Sequence, residues 1–358
     1  MIDQLGIILF VGQRITSFLS AIGTAMIIFQ VARHKENRSK TQQRLILGMS
    51  CIDFSISTVW LFTNLFLPRS KVHLWSIGNH ASCSVQGFIV QLLLTSILYN
   101  ASLALYYLMV IRLRFPQWKV MKIEPYMHAL PLILGIGTAV TALVLNMYNP
   151  ADWDCWIAPP ANCTQTSEYE NTTSCKKFNN IDVFRMAFLF GPLWVVIIGV
   201  TAVMSLIFLH VRKQEKKSQR WATTTSTKRL TNTRNLGVQS ALYVGSLYIT
   251  YTFPTITRLL QLAGKDVPSW LFVTSGIFIP FQGFFNSLVY FRPQYNKLRR
   301  ENPGISGLSI IRSTIKTSLF NNHNAEVVTL HDRQSTAKPV EENVLEELDE
   351  EARSDTEN

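Results

Sequence analysis

The signatures of an enzyme are missing from this 358-residue chain. No His, Cys and Glu fall at metal-ligand spacing, no serine, histidine and acid follow in a hydrolase order, and no glycine-rich loop could cradle a phosphate. Enzymatic activity is therefore not expected. A basic n-region and a small-residue cleavage site are also lacking: four residues precede the first apolar stretch, which is expected to serve as its own insertion signal. The two halves show no related hydropathy, which argues against a repeat-built transporter.

What is present is a run of seven apolar stretches near Ile8–Val31, Leu45–Leu67, Cys83–Ile111, Tyr126–Met147, Val183–Val211, Gly237–Ala263 and Ser269–Phe291. A hydrocarbon core of roughly 30 Å needs about 20 helical residues, and each stretch reaches that length. The basic residues sit in alternate connections. Arg33, Lys35, Arg38, Lys40 and Arg44 follow the first stretch, Arg112, Arg114, Lys119 and Lys122 the third, eight cations lie between Arg212 and Arg234, and Arg292, Lys297, Arg299 and Arg300 end the seventh. The other face has Arg69, Lys71, Lys176, Lys177 and Lys265. The positive-inside rule then places the N-terminus outside and the C-terminus in the cytoplasm. The expected fold is all-α: a multi-pass bundle of seven transmembrane helices in the plasma membrane.

The net charge of +11 is compatible with nucleic acid, but the cations are split among loops beside apolar spans, so anionic lipid of the bilayer is the simpler partner. Val340–Asn358 holds nine acids against one Arg, leaving 33 bases against 14 acids before it. Residues 1–301 form the expected membrane domain, ending in a short amphipathic helix over Gln294–Arg300 on the inner leaflet. Residues 302–358 read as a cytoplasmic tail, mostly disordered and acidic at its end.

Cys51 lies inside the second span, where a thiol is most often packed in the core. Cys83, Cys155, Cys163 and Cys175 all fall on the expected outer face, an oxidising environment, and four cysteines leave three pairings open. Cys83 with Cys155 and Cys163 with Cys175 are preferred. Asn162 and Asn171 head glycosylation sequons in the same loop, residues 149–181, which reads as a disulfide-braced lid. The N-terminus is too short to bind a ligand alone, so the site is expected in the bundle or under that lid.

Asp53 is the chief anomaly among the spans, roughly 13 Å beyond Arg44 along the helix, because a membrane carboxyl must face polar groups or water. Ser96 and Asn100 on the third span, and Gln282 and Asn286 on the seventh, each lie four apart at matching depth. With Asp53 they form an expected polar switch network that could admit water or a sodium ion. Arg14, Arg185 and Arg258, toward the outer ends of spans, form an expected cradle for a small anionic ligand such as a nucleotide, with Trp156 of the lid. Arg112, Arg114, Arg212, Lys213, Lys216 and Lys217 are candidate contacts for a cytoplasmic partner. Pro131, Pro192, Pro254 and Pro280 each remove a helical hydrogen bond within a span.

With Cys83 opening the third span, Asp53 in the second and Asn286-Ser287-Leu288-Val289-Tyr290 closing the seventh, the chain resembles a G-protein-coupled receptor over about residues 1–300. The last segment is similar to the rhodopsin-like Asn-Pro-x-x-Tyr motif, with Ser287 in place of proline, which adds Tyr290 to the switch network. Trp153-Asp154-Cys155-Trp156-Ile157 and Tyr106-Tyr107-Leu108-Met109-Val110-Ile111-Arg112 resemble the cyclic-AMP-receptor-like group. One departure stands out: 25 residues after Cys83, where rhodopsin-like receptors place the arginine of an acid-arginine pair, this chain has Leu108. Arg112, one turn later, is expected to take over contact with the partner. The seventh span has no Lys, so a retinal Schiff base has no attachment point. The resemblance implies an extracellular ligand, a heterotrimeric G protein, and a kinase and an arrestin-like protein at the inner loop and tail. The competing reading is a seven-helix small-solute transporter or channel without G-protein coupling.

Overall fold

The computed structural model describes residues 4–69, 76–151, 153–160, 163, 180–220, 224–301, 304, 306–307 and 309–313, without the side chains of 217–233. Seven long helical rods make up most of them: α1 (Gln4–Arg33), α2 (Thr41–Leu61), α3 (His80–Ile111), α4 (Gln117–Val144), α5 (Ile181–Lys216), α6 (Thr224–Leu262) and α7 (Ser269–Glu301). Six of them, all but α6, are long and apolar enough to cross a membrane. In α6, Ser240, Tyr243, Ser246, Tyr248, Thr250, Tyr251 and Thr252 dilute the apolar residues.

Burial explains that composition. On α6 the residues Ser240, Tyr243, Ser246, Thr250 and Tyr251 are buried, while Val238, Leu242, Ile249 and Ile256 are exposed at spacings of four and seven that make one stripe. The first rod repeats the arrangement: Gln13, Thr16, Ser17, Ser20 and Thr24 are buried, and Ile8, Val11, Ile15, Phe18 and Ile22 are exposed. On α4, Leu130, Ile133, Ile136, Val140 and Val144 are exposed. A protein in water does the reverse, and exposed apolar faces of this extent fit lipid. The chain is a multi-pass membrane protein.

Inside the bundle, small residues let the rods approach closely. A Cβ on Gly23 of α1 would lie 2.9 Å from the Ser287 Cβ of α7, and one on Gly283 would meet Thr24 at 2.6 Å and the Asp53 Cβ at 3.4 Å. Neither glycine has room for a side chain.

Three prolines show how local sequence and tertiary packing are linked. A proline within a helix leaves the carbonyl four residues earlier without its donor, and in lipid that group must find another. For Pro131 it is the Met127 carbonyl, which accepts from Ser102 Oγ of α3 at 3.0 Å. For Pro192 it is the Phe188 carbonyl, which accepts from Gln91 Nε2 of α3 at 3.0 Å. For Pro293 it is the Val289 carbonyl, which accepts from Gln239 Nε2 of α6 at 2.8 Å. The backbone before Pro192 also widens into a π turn over Met186–Phe190, where the Gly191 N–H reaches the Met186 carbonyl. Pro280 lies in a 3-10 turn, Ile279–Phe281, that interrupts α7.

Between α4 and α5 two short strands, β1 (Tyr148–Pro150) and β2 (Cys155–Ile157), pair antiparallel. Asn146, at φ 50°, turns the chain out of α4 into this hairpin. Asn79 starts α3 with a capping box: its Oδ1 accepts from the Ser82 N–H at 2.9 Å, and Ser82 Oγ accepts from the Asn79 N–H at 2.8 Å.

Three expectations change. Cys51 is exposed on α2 and not in the core, because the buried stripe of that helix runs through Met49, Ser50, Asp53, Ile56 and Ser57. α4 begins at Gln117, nine residues before the expected span, since Pro116 supplies a natural helix start. Gln294–Arg300 is no separate helix: it continues α7 without a break as far as Glu301. By its internal contacts the chain divides after Pro293.

Candidate functional site

The hairpin between α4 and α5 is tied down at several points. Cys155 is disulfide-bonded to Cys83, with the Cα atoms 5.3 Å apart, the preferred pairing among those the sequence left open. Cys163 is also disulfide-bonded, whereas Cys175 and the two sequon residues Asn162 and Asn171 lie outside the described residues. Tyr148 packs against Gly87 of α3, where a Cβ would lie 2.6 Å from its Cγ, and its hydroxyl donates to the Ala139 carbonyl at 2.9 Å. Asp154 Oδ2 accepts from Trp60 Nε1 of α2 at 2.9 Å, and Trp156 Nε1 donates to Gln91 Oε1 of α3 at 2.8 Å. Trp153 meets Phe272 of α7 edge to face at 4.5 Å.

Beneath the hairpin is a cavity of about 120 Å³. Trp60, Trp153, Trp156, Phe190 and Phe272 give it aromatic walls, and Arg185, Arg258, Thr257, Ser275 and Asp154 are its polar lining. Arg258 is buried. Its Nη1 donates to Asp182 Oδ1 at 2.9 Å, its guanidinium carbon lies 4.8 Å from the Phe190 ring centre, and its Nε has no hydrogen-bond partner. Arg185 shares the same carboxylate oxygen at 3.3 Å and donates through Nε to the Ile157 carbonyl at 2.7 Å.

Two of the three expected cradle arginines thus come together with Trp156, and the third does not. Arg14 donates to the Phe10 carbonyl at 2.8 Å and to Asn64 of the α2 end, and it does not line the cavity. Its long side chain folds back over the Phe10 ring, at 3.2 Å from the ring centre. The enclosed space of about 120 Å³ is smaller than the roughly 300 Å³ and more of pockets that bury a drug-sized ligand.

Further along the bundle, away from the disulfide, Asp53 is buried and holds four helices together. Ser96 Oγ of α3 donates to its Oδ1 at 2.5 Å and Asn286 Nδ2 of α7 to its Oδ2 at 3.0 Å, while Ser246 Oγ of α6 donates to Asn286 Oδ1 at 3.0 Å. Asn100 donates to the Ser96 carbonyl at 3.1 Å, which puts it beside the network. Gln282 is buried one turn before Asn286 on the same regular helix, but neither of its side-chain polar atoms has a partner, so it does not join. Tyr290 packs edge to face on Phe291 at 5.0 Å and makes no hydrogen bond to the carboxylate network. Among the described residues no three His, Cys, Asp or Glu side chains gather to hold a metal.

At the end opposite the disulfide, Arg112, Arg114, Arg212, Lys213 and Lys216 are exposed, and the side chain of Lys217 lies outside the described residues. An ionic cluster that sequence reading missed lies there too. Glu124 of α4 accepts from Arg44 of α2 through both of its carboxylate oxygens, one of these contacts measuring 2.6 Å, and from Thr41 Oγ1 at 2.8 Å. His128 lies 3.8 Å from the same carboxylate, and Tyr99 of α3 hydrogen-bonds its Nδ1 at 3.1 Å.

Sequence reading also missed Ser246 and Gln91. Ser246 was one serine among many hydroxyls on α6. The signal for Gln91 was present: an amide on an apolar helix, in a chain whose prolines each free a carbonyl.

The fold is similar to that of squid rhodopsin in its crystal structure, with a TM-score of 0.58 and 13% sequence identity over 88% of this chain and 91% of that one. No family model and no curated protein matches the sequence. What the two chains share is the fold, and the cyclic-AMP-receptor-like subgroup draws no support from these comparisons.

Proposed function

We propose that this chain is a cell-surface receptor that crosses the plasma membrane seven times and passes an extracellular small-ligand signal to a heterotrimeric G protein. In this reading the disulfide-braced hairpin faces outward with the N-terminus, and the cationic end faces the cytoplasm. The observation that carries it lies on α6. This one helix lines the cavity with Thr257 and Arg258, joins the Asp53 network through Ser246, and satisfies the freed carbonyl of α7 through Gln239. From Gln239 to Arg258 is about 29 Å at roughly 1.5 Å per residue, nearly the depth of a bilayer core.

A ligand can drive such a device only by binding one arrangement of the helices better than another. A ligand held by Arg258 biases the disulfide end of α6, and the hydrogen bonds from Ser246 and Gln239 transmit the bias to α7. The exposed cations Arg112, Arg114, Arg212, Lys213 and Lys216, with Lys217, then form the surface for the G protein, and the hydroxyl-bearing inner loop and tail serve a kinase and an arrestin-like protein. The oxygens of Asp53, Ser96 and Asn100 suit a sodium ion in kind. With no Lys in Ser269–Phe291, a Schiff-base chromophore forms no part of the reading.

The test is guanine-nucleotide exchange on co-expressed G proteins, with Ser246→Ala as the probe of transmission. A ligand response or constitutive exchange that Ser246→Ala reduces at unchanged surface expression supports the reading. The transporter alternative draws on buried polar atoms that have no partner, at Gln282, Thr250 and Tyr251, which a solute path would use. Solute uptake by proteoliposomes that contain only this chain would favour it.

A further inference from the structure

Size limits what the cavity beneath the hairpin accepts. A buried apolar cavity of about 150 Å³ takes benzene, and about 120 Å³ is less than that, so the cavity accepts no body larger than a single ring, with any polar substituent at its guanidinium-lined side. The walls favour a flat body. Trp153 and Phe272 meet edge to face, as do Trp156 and Phe190 at 6.2 Å, so the rings present both faces and edges to whatever lies among them. The indole N–H groups of Trp60 and Trp156 are taken up by Asp154 and Gln91. What these two rings offer a ligand is apolar.

The polar demand is specific. Arg258 is only 5% exposed, and its Nε is a buried donor without an acceptor. Its counter-ion, Asp182, is divided between Arg258 and Arg185 and is 58% exposed at the side chain, so two guanidiniums share one partly hydrated carboxylate. A buried guanidinium short of an acceptor is best met by a ligand carboxylate, whose planar oxygens match it. Asp154, already engaged by Trp60, adds a negative charge to the same lining and opposes a dianion such as a phosphate.

We infer that this cavity binds a small aromatic monocarboxylate, one ring bearing one carboxylate, with the ring among the tryptophans and the carboxylate on Arg258. The inference rests on the receptor reading in taking this cavity for the ligand site.

The experiment uses the full chain in lipid nanodiscs, with phenylacetate as probe and quenching of tryptophan fluorescence, checked by calorimetry, as readouts. Saturable binding of phenylacetate, at least ten-fold tighter than that of benzyl alcohol, benzylamine or cyclic AMP, is the expected result. Arg258→Gln is expected to weaken it at least ten-fold. Should that variant fail to fold, Asp182→Asn at the exposed rim decides the matter. It removes the charge that competes for Arg258, and phenylacetate is expected to bind several-fold tighter. No saturable binding, equal binding of benzyl alcohol or benzylamine, or weaker binding in Asp182→Asn overturns the inference. Because no G protein is present, phenylacetate binding that never stimulates nucleotide exchange would count against the receptor reading alone.

Discussion

Gln91→Leu perturbs the structure at a single, well-defined point. Leucine fills nearly the same space but can neither donate nor accept. Two groups then lose their partner: the Phe188 carbonyl, already deprived of its helical donor by Pro192, and Trp156 Nε1 on the cavity wall. Thr138, which Gln91 also reaches at 3.3 Å, keeps its own bond to the Gly135 carbonyl and loses little. An orphaned buried polar group costs about 1–3 kcal/mol. The Phe188 carbonyl belongs at the low end because its bond is only partly buried, and membrane hydrogen bonds are often worth roughly 0.6 kcal/mol. The expected loss is about 2–4 kcal/mol, against about 1 kcal/mol for Ser102→Ala, which orphans only the Met127 carbonyl. Thermal unfolding in nanodiscs ranks the two variants, and tryptophan emission reports whether Trp156 has come loose. If Gln91→Leu proves as stable as the parent, or less harmful than Ser102→Ala, the freed carbonyls are being satisfied in some other way and the account of the prolines is wrong.

Three further substitutions probe the rest of the frame. Asp53→Ala leaves Ser96 and Asn286 facing a void and is expected to cost about 2–4 kcal/mol, and more than Asp53→Asn, whose amide can still accept one bond; equal losses in unfolding experiments would argue against the network. Cys83→Ser opens a link spanning 72 residues, for which chain entropy sets an upper value of about 4 kcal/mol, and a thermal shift no larger than that caused by reductant, which also opens the Cys163 bond, is the check. Glu124→Gln weakens the clamp between α2 and α4 by about 1 kcal/mol, Arg44 being partly solvated, and a double-mutant cycle with Arg44→Met should recover a coupling of that size.

Much of the fold was legible in hydropathy, because lipid demands long apolar helices and penalises anything else. Its least apolar member, α6, was also found by this route, yet its significance was not, since Tyr243, Ser246 and Tyr251 dilute the signal while facing inward. Asp53, Ser96 and Asn286 could be grouped from their depth along straight helices. Gln282 shares their depth, but depth cannot say which buried amide finds a partner, and both of its polar atoms go without one. Arg185 and Arg258 were placed at the correct level, but that level cannot say which way a long side chain folds, and Arg14 turned back on Phe10. The Arg44 to Glu124 pair eluded sequence reading because α4 starts at Pro116, which brings an acid just before the expected span inside a helix.

Purified chain in nanodiscs, mixed with G-protein heterotrimers of each Gα class, tests the central claim most directly. Guanine-nucleotide exchange above the rate of the heterotrimer alone, reduced by Ser246→Ala in a variant that still folds, is the expected result; exchange at the rate of the heterotrimer alone for every class, with the cavity ligand bound, would contradict it.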